Sequence, residues 1–153
     1  MICKGILGVE PGKGGAICFL DTSTKTVDFI GLDLPSMLVK EWLLTKKDII
    51  SVAWLEDVHS IFGASAKSNF KFGYNLGWVT GLLTSSEIPI RRVTPKEWQR
   101  YLKAPKKASK TELASLVIEA YPYALPYLYG PKGGLLDGKS DALGIAHYGA
   151  QHD

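Results

Sequence analysis

Apolar residues fall at strand spacing through the first third of the chain. Residues 4–10 (KGILGVE) and 15–21 (GAICFLD) flank a Pro-Gly-Lys-Gly turn, and 26–32 (TVDFIGL) alternates in polarity. The connections are short enough for antiparallel pairing, so these three strands read as a meander. Ser36 is placed to cap a helix of about ten residues with Leu38, Trp42 and Leu43 on its inner face. Residues 49–56 (IISVAWLE) form a nearly unbroken apolar run, the pattern of a strand buried on both faces, and the run ends in Glu56.

The longest helical pattern covers residues 65–85 and carries Gly73, Gly77 and Gly81 at a spacing of four. Glycine inside a helix costs about 1 kcal/mol relative to alanine, so three in register predict close backbone packing, against the sheet or against a second copy. A short strand at 88–93 (IPIRRV) leads into Thr94-Pro95-Lys96-Glu97, which has the form of a capping box with proline at the first helical position. Ser109-Lys110-Thr111-Glu112 repeats the device and starts a helix that stops before Pro122. Residues 121–136 (YPYALPYLYGPKGGLL) read as an ordered loop, and a last helix begins near Asp137 and runs to about Ala150. The order βββαβαβααα predicts an α/β fold with a mixed central sheet. No repeat or long linker divides residues 1–153, so one domain is expected.

Composition narrows the function. With 46% hydrophobic residues and a mean hydropathy of +0.03, the chain reads as an ordinary globular protein with no membrane span. Its cysteines, Cys3 and Cys18, are placed too far apart along an early hairpin to bridge, as suits a reducing cytosol. The net charge of +3 is modest but unevenly spread. Eight basic residues and one acidic residue lie between Arg91 and Lys110, against 10 basic and 14 acidic residues elsewhere. A basic band on a mildly acidic body is either a solvated helical face or a surface for phosphates.

Candidate chemistry comes from where the carboxylates fall. Glu10 ends the first strand and Glu56 the buried fourth, so neighbouring strands stopping at one edge would bring them within several ångströms of each other. Asp137 and Asp141 are four apart at the start of the last helix and share a face, although Asp137 could simply cap that helix. Four converging carboxylates repel unless cations neutralise them, and hard oxygen donors of this kind suit Mg²⁺ or Mn²⁺. Lys13 in the glycine-rich turn is placed to touch a phosphate. His59 and Phe62, between the acidic strand and the long helix, could stack on unpaired bases or pack on the helix itself.

Four segments carry a family resemblance, in order along nearly the whole chain. GVEPGKGGAICFLD resembles the opening hairpin of the RuvC family of Holliday junction resolvases, particularly the compact forms carried by bacteriophages. LEDVHSIFGASAKSNFKFGYNLGWVTGLL is similar to their second acidic motif and glycine-bearing helix. IPIRRVTPKEWQRYL resembles their next strand and helix, and LLDGKSDALGIAHYG their terminal acidic helix. The resemblance implies an RNase H-like fold with helices on both faces of the sheet and a homodimer in a bacterial cytoplasm, the compact pattern pointing to a phage source. It also implies cleavage of four-way DNA junctions by two-metal hydrolysis, for recombination or repair of branched DNA. Carried over, Glu10, Glu56, Asp137 and Asp141 are the catalytic metal ligands, and Lys106, Lys107 and Lys110 match the segment that holds the DNA backbone. Two departures stand out: Glu10 replaces the usual aspartate, and the terminal aspartates are four apart rather than three. A branched-DNA-binding module without catalysis, and a related nuclease for flaps or RNA–DNA hybrids, are the alternatives.

Overall fold

A computed structural model describes residues 4–58 and 63–153. Five strands, β1 (Gly5–Glu10), β2 (Ala16–Asp21), β3 (Val27–Gly31), β4 (Ile50–Glu56) and β5 (Ile90–Val93), form one sheet in the order β3-β2-β1-β4-β5. The first three are antiparallel neighbours, as their short turns require. β1, β4 and β5 run parallel: the chain returns from β3 through α1 to enter β4 beside β1, and α2 crosses from β4 to β5. The helices are α1 (Ser36–Leu44), α2 (Ala66–Ser85), α3 (Pro95–Tyr101), α4 (Lys110–Ala120), α5 (Leu125–Leu128) and α6 (Asp137–His152).

Because side chains alternate across a strand, the sheet builds two cores. Leu7, Val9, Ala53 and Leu55 pack with Val39 and Leu43 of α1 and Val79 and Leu83 of α2. Ile6, Cys18, Val52 and Trp54 face the other way, against α3, α4 and α6 through Trp98, Leu113, Val117, Leu143 and Ala146. Gly8 is the position in β1 where α6 crosses closest: a Cβ there would strike the Ala142 carbonyl and the Ala146 amide. That contact sets α6 directly over the strand that ends in Glu10.

Both predicted capping boxes form, at Thr94/Glu97 and at Ser109/Glu112, and Ser65 caps α2. Three local expectations change. Helix α1 has Pro35 at its N-cap with no side-chain cap, and its buried stripe is Val39 and Leu43 while Leu38 is 46% exposed. Leu43 is buried and Trp42 packs half-buried on the same core while donating to Asp28 Oδ2 at 3.1 Å, so Val39 takes the place expected for Leu38. The 121–136 segment is partly helical, with a 3-10 turn at Pro122–Ala124, then α5, then a bridge between Tyr129 and Leu135. Finally, Gly73, Gly77 and Gly81 face outward. A Cβ on any of them would meet nothing within 4 Å, since the buried face of α2 is Phe72, Asn75, Val79 and Leu83. Cys18 is buried and free, and Cys3 lies outside the described residues. No described helix is long and apolar enough to cross a membrane.

Candidate active site

Ile6 and Gly8 of β1 and Val52 and Trp54 of β4 face α6, and the same alternation carries Glu10 and Glu56 to that side. Val9 pairs with Leu55 in parallel register, so the next residue of each strand is a glutamate at the sheet's edge. From above, α6 brings Asp141 down one turn after Asp137. The close contact of Gly138 with the Gly14 carbonyl ties the start of α6 to the β1–β2 turn. Glu10, Glu56, Asp137 and Asp141 therefore line one cavity of about 290 Å³, together with Lys13, Gln99 and Lys110.

Each carboxylate is held differently. Glu56, 7% exposed, accepts a hydrogen bond from Trp98 Nε1 at 2.8 Å. Burial raises its pKa to about 7; the Trp98 bond opposes the shift, the neighbouring Asp141 adds to it, and Lys110 opposes it. Glu10 folds back so that its Oε1 accepts the Gly12 N–H at 2.8 Å. Burial again dominates and moves its pKa to about 7; the Gly12 bond opposes this, the negative Glu56 and Asp141 add to it, and Lys110 opposes it. Asp141, 5% exposed, is raised by burial and held down by Lys110, whose Nζ donates to its Oδ2 at 2.6 Å. Asp137 sits exposed at the rim, 3.8 Å from Lys110 Nζ. It makes no cap: the N-cap of α6 is Leu136, with no side-chain hydrogen bond.

The turn carrying Glu10 is also braced from the opposite face of the sheet. Asn75, 2% exposed on α2, donates from Nδ2 to the Gly12 carbonyl at 3.4 Å, and its Oδ1 accepts from Trp78 Nε1 at 3.2 Å.

The basic residues divide. Lys106 and Lys107 are exposed on the α3–α4 connection, outside the cavity. Lys110, the first residue of α4, turns instead into the acidic cluster. Lys13 is exposed at the cavity edge. His59 and Phe62 lie outside the described residues. Asp57 faces away from the cluster, 3.8 Å from Arg92.

No local pattern in the sequence connects Trp98 to Glu56, 42 residues away; the contact arises only from tertiary packing. Lys110 was legible as the first residue after a cap, but not as the partner of Asp141. Among the described residues no three His, Cys, Asp or Glu side chains are gathered tightly enough to chelate an ion as they stand. The Lys110 ammonium stands among the carboxylates, supplying one positive charge to an excess of negative ones. As hard oxygen donors around a shared cavity, the four carboxylates fit divalent cations of the Mg²⁺ class in chemistry.

No model of a known protein family matches the chain, and no curated protein matches it in sequence. Solved structures do. The RuvC structure from Thermus thermophilus superposes with a TM-score of 0.60 at 16% identity, covering 93% of this chain and 90% of that one. T. thermophilus RuvC in complex with a Holliday junction substrate gives a TM-score of 0.60 at 16% identity, over 94% of this chain and 90% of that one. Over nearly its whole length, this chain has the RNase H-like fold in the form it takes in RuvC.

Proposed function

We propose that this protein is a metal-dependent endonuclease that cuts branched DNA, four-way junctions above all, and works as a homodimer. One observation carries the reading. Two glutamates end adjacent parallel strands on one face of a RuvC-like sheet, and a buried aspartate reaches them from the helix laid across those strands. Burial resists ionisation of all three, so the site gains most from a partner that brings positive charge.

Glu10, Glu56 and Asp141 would hold the cation pair, with Asp137 completing the set from the rim. Bound Mg²⁺ or Mn²⁺ ions supply Lewis-acid polarisation of a phosphodiester and a water of lowered pKa. The chain's own groups orient the rest. Trp98 fixes one Glu56 oxygen, and the Gly12 amide fixes one Glu10 oxygen. Lys110 offers an ammonium beside Asp141 that can turn to a phosphate once the carboxylates have another counter-ion. Lys13 at the cavity edge and Lys106 and Lys107 on their exposed loop grip the DNA backbone, positioning it without reading sequence.

The outward glycines of α2 support the dimer. They form a flat strip beside the exposed Phe70 and Tyr74, whose rings stack at 6.5 Å, and such a strip lets a second helix approach closely. A homodimer would present two acidic sites to one junction.

The test gives purified protein labelled four-way junctions, flaps, duplex and RNA–DNA hybrid with Mg²⁺ or Mn²⁺. Paired symmetric nicks on junctions are expected, and Glu56→Gln, which removes the charge but leaves an oxygen for Trp98, should abolish them. Tight junction binding without cleavage in either metal would leave a binding module. Faster cleavage of flaps or hybrid would move the substrate class.

A further inference from the structure

On the far side of α3 from the acidic cavity lies a second groove, of about 530 Å³, lined by Glu97, Arg100, Tyr101, Lys103, Tyr148 and His152. Its floor is a set of packed rings. His152 lies parallel on Tyr148, with centroids 3.9 Å apart and planes 10° apart. Tyr101 meets both edge-on, at 5.8 Å from Tyr148 and 5.2 Å from His152. Behind them His147 Nδ1 and the Tyr121 hydroxyl are hydrogen-bonded at 2.8 Å, and Trp54 supports Tyr148 at 5.3 Å. The stack is therefore braced by the core, while His152 itself is exposed.

The charges around these rings are favourable for an anion. Arg100 and Lys103 are exposed and make no ion pair within 4 Å among the described residues. The one acid lining the groove, Glu97, is engaged at Oε2 by the Thr94 amide and hydroxyl at 2.8 and 2.9 Å. Asp153, next to His152, is turned to Arg91 at 3.4 Å. Arg100 and His152 also feel the charge of Glu97 without reaching ion-pair distance. A braced ring stack with two exposed cations beside it has the two elements that hold single strands: rings for base faces and positive charge for the backbone. Duplex DNA, whose base faces are covered, could use only the charges.

We infer that this groove is a second nucleic-acid site, which takes an unpaired segment of DNA by stacking a base on the exposed His152 ring, backed by Tyr148, while Arg100 and Lys103 hold its phosphates. Helix α3 joins the two sites: Pro95 and Gln99 line the acidic cavity, and Arg100 and Tyr101 line the groove. They are separated by about one helix diameter, ~10 Å, so a strand leaving the cavity can cross α3 into the groove. The choice of DNA rests on the proposed nuclease reading; the ring and charge geometry does not.

Binding is measured by fluorescence anisotropy with labelled (dT)8 in EDTA, over a range of salt, for wild type, His152→Ala, His152→Phe and Arg100→Ala/Lys103→Ala. His152→Ala should weaken binding about tenfold with the salt dependence unchanged, as expected for one lost stacking contact, and His152→Phe should restore it. The double variant should weaken binding and reduce the salt slope by about 1.4, the value for two phosphate contacts on a single strand. An oligonucleotide carrying 5-iododeoxyuridine should photocross-link to Tyr101, Tyr148 or His152. Cross-links elsewhere, or binding indifferent to all these variants, would overturn the inference. So would polyglutamate displacing the oligonucleotide as well as unlabelled (dT)8 does, with His152→Ala silent, which would mark a plain anion surface. The junction-cleavage assay in Mg²⁺ runs in parallel. Cleavage without groove binding removes only this inference, and groove binding without cleavage removes only the nuclease reading.

Discussion

Glu10 is one methylene longer than the aspartate that the resemblance leads one to expect, yet its Oε1 is folded back onto the Gly12 amide at 2.8 Å. The extra length is spent inside its own turn, so the oxygen left facing the cavity need reach no farther than an aspartate's would. Glu10→Asp should accordingly keep junction cleavage within about tenfold. Its thermal stability should drop by about 1 kcal/mol for the lost hydrogen bond, read by denaturant melts beside the cleavage assay. Lys110 raises the opposite question, of what happens when charge is taken away. Its ammonium is the cation nearest Asp141, which is 5% exposed. Lys110→Met should destabilise the metal-free protein at pH 8 by about 1–2 kcal/mol, because it strands a buried carboxylate. The same change should tighten Mn²⁺ binding in calorimetry, since the ion no longer competes with an internal cation. Unchanged stability and unchanged affinity would mean that the pair contributes nothing.

At the scale of elements, α2 carries the clearest consequence. Its glycines were legible as a stripe, and the requirement for close packing followed from their cost. Which surface they pack against was not legible, because periodicity gives a face and not a neighbour. Their outward position makes a two-part expectation. Gly77→Ala should raise monomer stability by about 0.5–1 kcal/mol. Gly77→Leu should leave the fold intact and shift the protein from dimer to monomer in analytical ultracentrifugation; a dimer unaffected by leucine would place the interface elsewhere. Other elements divide in the same way between local and long-range information. The strands, the two capping boxes and the ends of β1 and β4 were readable because alternation and capping are local. The choice of Val39 over Leu38 in α1 was not, because it depends on how the helix lies on the sheet. The convergence of Glu10, Glu56, Asp137 and Asp141 followed from strand ends and a helix face. The Trp98 and Lys110 partners depend on how α3 and α4 lie against α6, and no local pattern encodes that.

For the whole molecule, the acidic site links folding to pH. Glu10 and Glu56 have folded-state pKa values of about 7, above the ordinary 4.5, with burial as the leading cause. Between those values the native state binds more protons than the unfolded chain, so stability falls as pH rises. The metal-free protein should therefore melt several degrees higher at pH 5 than at pH 8, and millimolar Mn²⁺ should recover most of the difference at pH 8. A melting temperature that rises with pH in EDTA would show that the glutamates ionise as freely as in water. The same metal linkage implies cleavage that increases from pH 6 to pH 8.

The alternation that sends Glu10 and Glu56 to one side of the sheet and Leu7, Val9, Ala53 and Leu55 to the other also limits what the gene can tolerate. Deleting one codon within β1 or β4 would carry a carboxylate into an apolar core and an aliphatic side chain into the cavity, a double error that no neighbouring substitution repairs. A codon gained or lost on the α3–α4 connection, around Lys106 and Lys107, moves only surface charge. Descendants of this chain should thus vary in loop length and keep the length of these two strands, a pattern that sequencing of relatives can read without any assay.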